Sequence, residues 1–176
     1  MENSILVKIE NQLNIINRKL KSGKTAFSMQ GEITDKMKSF SKNYEKGFED
    51  HLYNYIKQYM LTHNDKRFIR SNGEINISKF CDYVPMEYKT WYDKIKNNNG
   101  TPPTDKTMLR IVFALKMNLS DADEFLRMAG IHLTPLNDKY NLVIALLELG
   151  IYDREIIIEA FDFFGPKGHP PFGNIY

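Results

Sequence analysis

The sequence predicts an all-α protein. Apolar residues recur three and four positions apart in successive segments of the 176-residue chain, which is the spacing of one face of a helix. Pro, Gly and Asn residues separate these segments where helices must end. Aromatic residues make up 12% and charged residues 26% of the chain, so the composition is that of a folded domain with a core and not of a disordered or fibrous protein.

The first segment, residues 1–24, is predicted to form an amphipathic helix with a narrow apolar stripe. The stripe has the alternating spacing of a coiled-coil seam and consists of Leu6, Ile9, Leu13, Ile16 and Leu20. A helix this short is unstable alone and needs a partner surface. Two interpretations stay open: the stripe packs on the protein's own domain, or it pairs with a second copy to form a homodimer.

Residues 25–164 are predicted to form one helical domain, which begins with a polar loop. From Met37 to Met60, apolar and aromatic residues follow helical spacing, either as one long helix or as two helices that meet near Gly47. We interpret the aromatic residues of this segment as core and not as a platform for stacked bases. The polar stretch that follows ends in a turn at residues 71–73.

Two short helices joined by a turn are predicted next. The first has an apolar stripe at i, i+3, i+4 and i+7 from Ile77, and Pro85 ends it because proline has no N–H group to donate. The second helix follows from Met86 to Lys96. Its apolar stripe consists of Tyr88, Trp91, Tyr92 and Ile95. This order predicts a compact helix-turn-helix within about residues 77–129.

A polar loop at residues 97–103 separates this pair from two further helices, because its three Asn, one Gly and two Pro residues favour turns. Thr104 is the predicted N-cap of the third helix, with Asp105 in the first turn. Ser120 is the predicted N-cap of the fourth helix, and Gly130 is its predicted C-cap.

The last part of the chain is predicted to form two apolar helices, at about residues 136–164, and a non-helical tail. The first of these helices stops at Gly150, and the second begins after a cap at Asp153. The tail, residues 165–176, contains three Pro and three Gly residues and is too apolar to serve only as a solubilising segment. We expect it to lie across the domain or to bind a protein partner.

The net charge is only +2, but it is unevenly distributed. Residues 83–118 carry six Lys and Arg against three Asp and Glu, whereas residues 119–176 carry four against nine. This asymmetry suits a surface that binds phosphates, although solvent-exposed helix faces also produce it.

The residue types argue against several function classes. The single Cys excludes an internal disulfide and a multi-Cys metal site, and the four scattered His residues suggest no metal site either. Cys81 lies on an apolar stripe, so we interpret it as a packing residue and not as a nucleophile. No apolar run approaches the length of a membrane helix, and Met-Glu-Asn-Ser is not a secretory start. We therefore expect a cytoplasmic protein that is not an enzyme, with no metal, no cofactor and no membrane contact.

One stretch carries a resemblance to a known family. Pro103-Thr104 and the segment TMLRIVFALKMNLSDADEFLRMAG, which ends at Gly130, resemble the phage-repressor-like (lambda repressor/Cro, XRE-type) helix-turn-helix family. The segment after Gly130 resembles a C-terminal helical extension found in an uncharacterised bacterial branch of that family. The resemblance implies a bacterial or phage transcriptional regulator that binds double-stranded DNA, and a homodimer through the N-terminal helix is compatible with it.

The resemblance also implies which residues contact DNA. The second helix of the pair would enter the major groove, where Lys89 could read guanine and Glu87 cytosine, with Trp91 as the core anchor. The implied contacts from this helix and the loop after it are Glu87, Tyr88, Lys89, Thr90, Lys94, Lys96, Asn98 and Thr101. The segment before the pair would lie near the DNA backbone, so its cations are either phosphate contacts or parts of an ordinary solvent-exposed loop. These cations are Lys66, Arg67 and Arg70.

A function of a different class is also compatible with the sequence. Pro85 stands where the family tends to have a small polar residue, the loop at residues 97–103 is long, and the second helix is close to neutral. The chain could therefore be a protein-interaction module that keeps the helix-turn-helix fold and binds an effector or toxin-like partner in a bacterial or phage conflict system. The N-terminal helix and the tail would then be the contact elements.

Overall fold

The computed structural model describes residues 2–22, 51–97 and 102–166. These residues form eight α-helices and no β-strand; their only β-type pairing is an isolated antiparallel bridge between Ile69 and Ile75. The predicted all-α class is therefore confirmed for the described residues. The predicted polar loop and helix boundary before residue 51, the tail from residue 167 onward, Asn98 and Thr101 lie outside them.

The described residues divide into two compact units. Residues 2–22 and 133–166 form the first, here called the terminal unit, and residues 51–97 and 102–132 form the second, called the central unit. This division differs from the predicted one, which separated residues 1–24, 25–164 and 165–176. The difference arises because the first helix packs against the last two. Local sequence patterns do not predict a contact between segments so far apart in the chain.

Three helices make up the terminal unit: α1 (Glu2–Lys21), α7 (Asp138–Glu148) and α8 (Arg154–Phe164). Helix α1 packs against both of the others. Gln12 Nε2 donates to Glu148 Oε2 at 2.6 Å, and Asn141 Nδ2 donates to Asn17 Oδ1 at 3.0 Å. Because the later residue of α1 pairs with the earlier residue of α7, the two helices run antiparallel.

The apolar stripe of α1 is partly buried. Ile9 and Ile16 are buried, whereas Leu6, Leu13 and Leu20 are half-buried. Since α1 contacts α7 and α8, the first of the two interpretations, packing on the same chain, describes what α1 does in this structure. Pairing of α1 with a second copy stays a prediction.

The predicted boundaries of α7 and α8 are confirmed. Asp153 caps α8 by accepting from the N–H groups of Glu155 and Ile156 at 2.9 and 3.2 Å. Gly150 follows α7 with a φ of +65°, a left-handed conformation that glycine adopts without strain.

Five helices make up the central unit: α2 (His51–Thr62), α3 (Ile77–Tyr83), α4 (Tyr88–Thr90), α5 (Asp105–Ala114) and α6 (Leu119–Met128). A short 3₁₀ helix, Lys66–Phe68, follows α2. Helix α4 continues as a π-helix, Trp91–Lys96, in which hydrogen bonds join residues five apart, such as Asn97 N to Tyr92 O at 2.8 Å.

An aromatic cluster fills the core of the central unit between the 3₁₀ helix, α3 and the π-helix. Phe80 lies edge-to-face with Phe68 on one side and with Trp91 on the other, at ring-centroid distances of 5.3 and 5.0 Å. All three rings are buried. Such pairs stabilise a core beyond simple area burial, so this cluster fixes where α3 and the π-helix lie relative to each other.

Two of the three predicted caps in this unit are confirmed, and one is wrong. Thr104 Oγ1 accepts from Thr107 N at 3.3 Å at the start of α5, and Gly130, with a φ of +73°, ends α6. The cap of α6 is Asn118, whose Oδ1 accepts from Asp121 N at 3.0 Å, and not Ser120, which lies in the first turn. Two good capping residues stand two positions apart here, so the sequence alone could not separate them.

No helix in the described part of the chain is long and apolar enough to cross a membrane.

Candidate nucleic-acid interface

A four-residue connection, residues 84–87, joins α3 to α4. Val84 and Met86 are buried, and Met86 N donates to Cys81 O at 3.0 Å. Arg110 of α5 donates from Nη1 to Pro85 O at 2.6 Å. The connection is therefore anchored by the core on one side and by a charged hydrogen bond on the other, which fixes the direction in which α4 leaves it.

Helix α4 and its π-helical continuation have one buried face and one exposed face. Trp91 and Ile95 are fully buried and attach the segment to the core. Tyr88 and Tyr92, which the sequence placed on the same apolar stripe, are instead 45% and 38% exposed. That part of the stripe prediction was wrong, because a nine-residue segment buries only the row that faces α2 and α3, and a tyrosine can keep its polar end in water.

The exposed face carries a row of aromatic and basic side chains. In a π-helix each residue turns through a smaller angle than in an α-helix, so Tyr88, Tyr92 and Lys96, four residues apart, stay nearly in line. Lys96 Nζ lies 5.3 Å from the centroid of the Tyr92 ring, which is cation–π distance. Lys89 is exposed next to this row.

The structure brings six of the predicted contact residues together on this one segment. Those that are exposed are Glu87, Tyr88, Lys89 and Lys96, and those that are half-buried are Thr90 and Lys94. Within the described ranges, neither Glu87 nor Lys89 takes part in a salt bridge. Their charges are therefore not neutralised by the part of the fold that the structure shows.

The three predicted cations between α2 and α3 have different environments. Lys66 and Arg70 are exposed, and neither is in a salt bridge with another described residue. Arg67 is also exposed, but it is bound to the fold: its guanidinium donates twice to Asp65, once to Tyr83 Oη at 3.2 Å and once to Ala114 O at 3.1 Å. The Arg67 bonds hold the pKa of Asp65 below its ordinary value.

Arg67 also lies against two aromatic rings. Its Cζ atom is 5.0 Å from the centroid of Phe68 and 5.1 Å from that of Tyr83. The side chain thus links the 3₁₀ helix, α3 and α5. With four of its five N–H groups used in this way, Arg67 is better placed to hold these elements together than to bind a phosphate.

Arg70 lies on a small hairpin turn, residues 69–75. Arg70 N donates to Glu74 O at 2.8 Å, Gly73 N donates to Arg70 O at 2.9 Å, and Gly73 has a φ of +79°. Asn72 Oδ1 accepts from Glu74 N at 3.1 Å and closes the turn further.

Glu74, at the end of this turn, is the centre of a polar cluster that the sequence pattern does not predict. Tyr53 Oη donates to Glu74 Oε2 at 2.6 Å, and Lys57 Nζ donates to Glu74 Oε1 at 2.5 Å. Burial and the bond to Glu74 raise the pKa of Tyr53 to about 12. The bond from Lys57, followed by that from Tyr53, lowers the pKa of Glu74, and the charge of Lys96 acts in the same direction.

The cluster adjoins the π-helix. The ring of Tyr53 meets that of Trp91 edge-on, with centroids 6.0 Å apart. The feature of the sequence that points to this cluster is the i, i+4 spacing of Tyr53 and Lys57 on α2. This spacing places both side chains on one helix face. Glu74 is 17 residues beyond Lys57, so its part in the cluster depends on tertiary structure.

The described residues contain no cluster of metal-ligating side chains, and the cysteine among them is buried. No group of three or more His, Cys, Asp or Glu side chains among them could hold a metal ion. Cys81 is buried in α3, and burial raises the pKa of its thiol to about 11.

Comparison of this chain with family profiles, curated proteins and solved structures finds no significant match.

Proposed function

We propose that the central unit is a helix-turn-helix domain that binds double-stranded DNA, and that the protein is a transcriptional regulator of the phage-repressor-like type. One observation carries the proposal. Trp91 and Ile95 hold the segment from Tyr88 to Lys96 against the core, and Tyr88, Lys89, Tyr92 and Lys96 are exposed on its other sides. A recognition helix needs one side that packs against the core and another side whose polar side chains are exposed to DNA.

The connection at residues 84–87 supports the same proposal. It is short, and Arg110 and two buried side chains hold it, so α3 and α4 form a rigid pair. Rigid support matters because a helix in the major groove must present its side chains to base edges within hydrogen-bond distance.

The predicted contact residues have different roles in this proposal. Lys89 and Glu87, at the start of the recognition helix, read base edges: Lys89 donates to guanine O6 and N7, and Glu87 accepts from cytosine N4. The residues that bind phosphates or line the backbone are Tyr88, Thr90, Lys94, Lys96, Asn98, Thr101, Lys66 and Arg70. Arg67 is a positioning residue that holds the segment carrying Lys66 and Arg70.

The salt dependence of binding tests the proposal. Fluorescence anisotropy of the full chain on a labelled random-sequence duplex should show affinity that falls steeply as salt rises. Lys89→Ala and Lys94→Ala should both weaken binding, and Lys94→Ala, which removes a proposed phosphate contact, should also flatten the salt slope by about one. Lys19→Ala, which removes an exposed lysine of α1, is the control and should change neither quantity.

A protein partner is the second candidate function, and two exposed apolar side chains of the terminal unit favour it. Leu136 is 80% exposed and Phe163 is 67% exposed, and such side chains gain from being covered by a partner. If the protein is an interaction module, Phe163→Ser should abolish capture of the partner and leave the fold intact. Deletion of residues 165–176 should do the same, and retained capture by both variants would contradict this candidate.

A further inference from the structure

The carboxylate of Glu74 is held by the kind of donors that bind a phosphate. Tyr53 contributes a hydroxyl group at 2.6 Å, and Lys57 contributes an ammonium group at 2.5 Å. Hydroxyl and ammonium groups from side chains are among the usual contacts of proteins to the DNA backbone. The two donors come from one face of α2, so they would stay together if the carboxylate left.

This cluster lies beside the proposed recognition helix. The Tyr53 ring that carries the hydroxyl group packs against Trp91, the residue that anchors the helix. Lys96, at the end of the same helix, lies over Tyr92 and acts electrostatically on Glu74. A duplex bound along the exposed face of this helix would therefore bring backbone phosphates close to Lys96 and to the cluster.

We propose that Glu74 occupies the position of a DNA phosphate in the unbound protein, and that Tyr53 and Lys57 bind that phosphate when the carboxylate moves aside. The inference rests on the proposed DNA-binding function. It adds a phosphate site made of two residues that the recognition helix does not contain, and it assigns Glu74 the role of lowering DNA affinity.

The side chain of Glu74 is able to move. It is 50% exposed and lies at the end of the hairpin turn, where rotation of the side chain leaves the backbone bonds of the turn in place. A half-exposed ion pair contributes little to folding stability, so its loss should be seen in binding and not in unfolding.

Glu74→Gln is the first test. Glutamine keeps an oxygen that accepts from Tyr53, but it has no charge to hold Lys57 or to repel a phosphate. The variant should bind a labelled duplex about fivefold more tightly at about 150 mM salt, and its salt slope should be steeper by about one, the values expected for one added phosphate contact. Glu124→Gln, which removes an exposed acid from α6, is the charge-matched control and should leave the salt slope unchanged.

Lys57→Met is made both in the wild type and in Glu74→Gln. The comparison distinguishes loss of a phosphate contact from a general effect of the change in charge. Lys57→Met should weaken binding more in the Glu74→Gln background than in the wild type, because in the wild type Lys57 must first give up its bond to Glu74 to reach the phosphate. Equal effects in the two backgrounds, or unchanged affinity in Glu74→Gln with unchanged thermal stability, would overturn the inference. If neither the wild type nor Glu74→Gln binds any duplex, the proposed DNA-binding function is wrong, and this inference is then wrong as well.

Discussion

Arg67 and Asp65 are joined at two points: Arg67 Nε lies 2.8 Å from Asp65 Oδ1, and Arg67 Nη2 lies 2.6 Å from Asp65 Oδ2. A third bond runs from Arg67 Nη1 to the hydroxyl of Tyr83, and a fourth from Arg67 Nη2 to the carbonyl of Ala114. One side chain thereby connects the 3₁₀ helix to α3 and α5. The Arg67–Asp65 pair lies in the segment that precedes the proposed helix-turn-helix and holds that segment against it.

Arg67→Ala should therefore destabilise the protein. The variant leaves the half-buried carboxylate of Asp65 without its partner and removes the bond to the Ala114 carbonyl, so we expect a loss of about 1–2 kcal/mol in the free energy of unfolding. Urea denaturation followed by circular dichroism measures it. Arg70→Ala is the control and should stay within about 0.5 kcal/mol of the wild type, because Arg70 forms no salt bridge with another described residue. Equal losses in the two variants would contradict the role given to Arg67.

The same pair predicts a pH dependence. Because the Arg67 bonds lower the pKa of Asp65 from its ordinary 3.8, the folded state binds this proton less readily than the unfolded state. The stabilisation is complete above that ordinary pKa and is lost as the pH falls through the lower pKa of the folded protein. Urea titrations between about pH 6 and pH 2.5 should show a smaller loss of stability on acidification in Asp65→Asn than in the wild type. Identical pH profiles would show that Asp65 is not a source of the acid sensitivity.

Lys116 and Gly130 form a matched pair for testing helix ends. Both follow a helix in the left-handed conformation, with φ values of +52° and +73°, and in both cases the next N–H donates back into the last turn, from Met117 to Val112 O and from Ile131 to Leu126 O. Lys116→Gly should relieve strain and raise the free energy of unfolding by up to about 1 kcal/mol. Gly130→Ala should lower it by about 1 kcal/mol, since space for a Cβ atom exists at Gly130 and only the backbone conformation is unfavourable. A destabilised Lys116→Gly would contradict this interpretation.

The thiol of Cys81 should be unreactive in the folded protein. It is buried, and with a pKa of about 11 it forms little thiolate near neutral pH. A chromogenic disulfide reagent should modify Cys81 slowly in buffer and rapidly in denaturant. Rapid modification of the folded protein, at the rate of a free thiol, would show that α3 opens readily or that Cys81 is not packed as described.

The sequence predicted those features that depend on neighbouring residues. Thr104 and Asp153 were found as caps because a cap bonds to N–H groups two or three residues away, and Gly130 was found because its conformation is local. The buried anchors Trp91 and Ile95 followed from their i, i+4 spacing.

Features that depend on tertiary contacts were missed. The exposure of Tyr88 and Tyr92 depends on which row of the segment meets α2 and α3, and on the π-type hydrogen bonds that change its angular spacing. The bond from Arg67 to the Ala114 carbonyl joins residues 47 apart, so it depends on tertiary structure, although the other partner, Asp65, is only two residues away. The Glu74 cluster was missed for the same reason, since no local pattern connects it to Tyr53 and Lys57.

Selection from a random pool of duplex DNA tests the central claim most directly. The purified full chain, shown to be folded, would be incubated with the pool at about 150 mM salt, and the bound fraction would be sequenced over successive rounds. If the central unit reads DNA with the helix that begins at Tyr88, a defined sequence should be enriched. Lys89→Ala should then lose preference for guanine at one position of that sequence. Failure of the folded wild-type protein to enrich any sequence would contradict the claim and favour a protein partner.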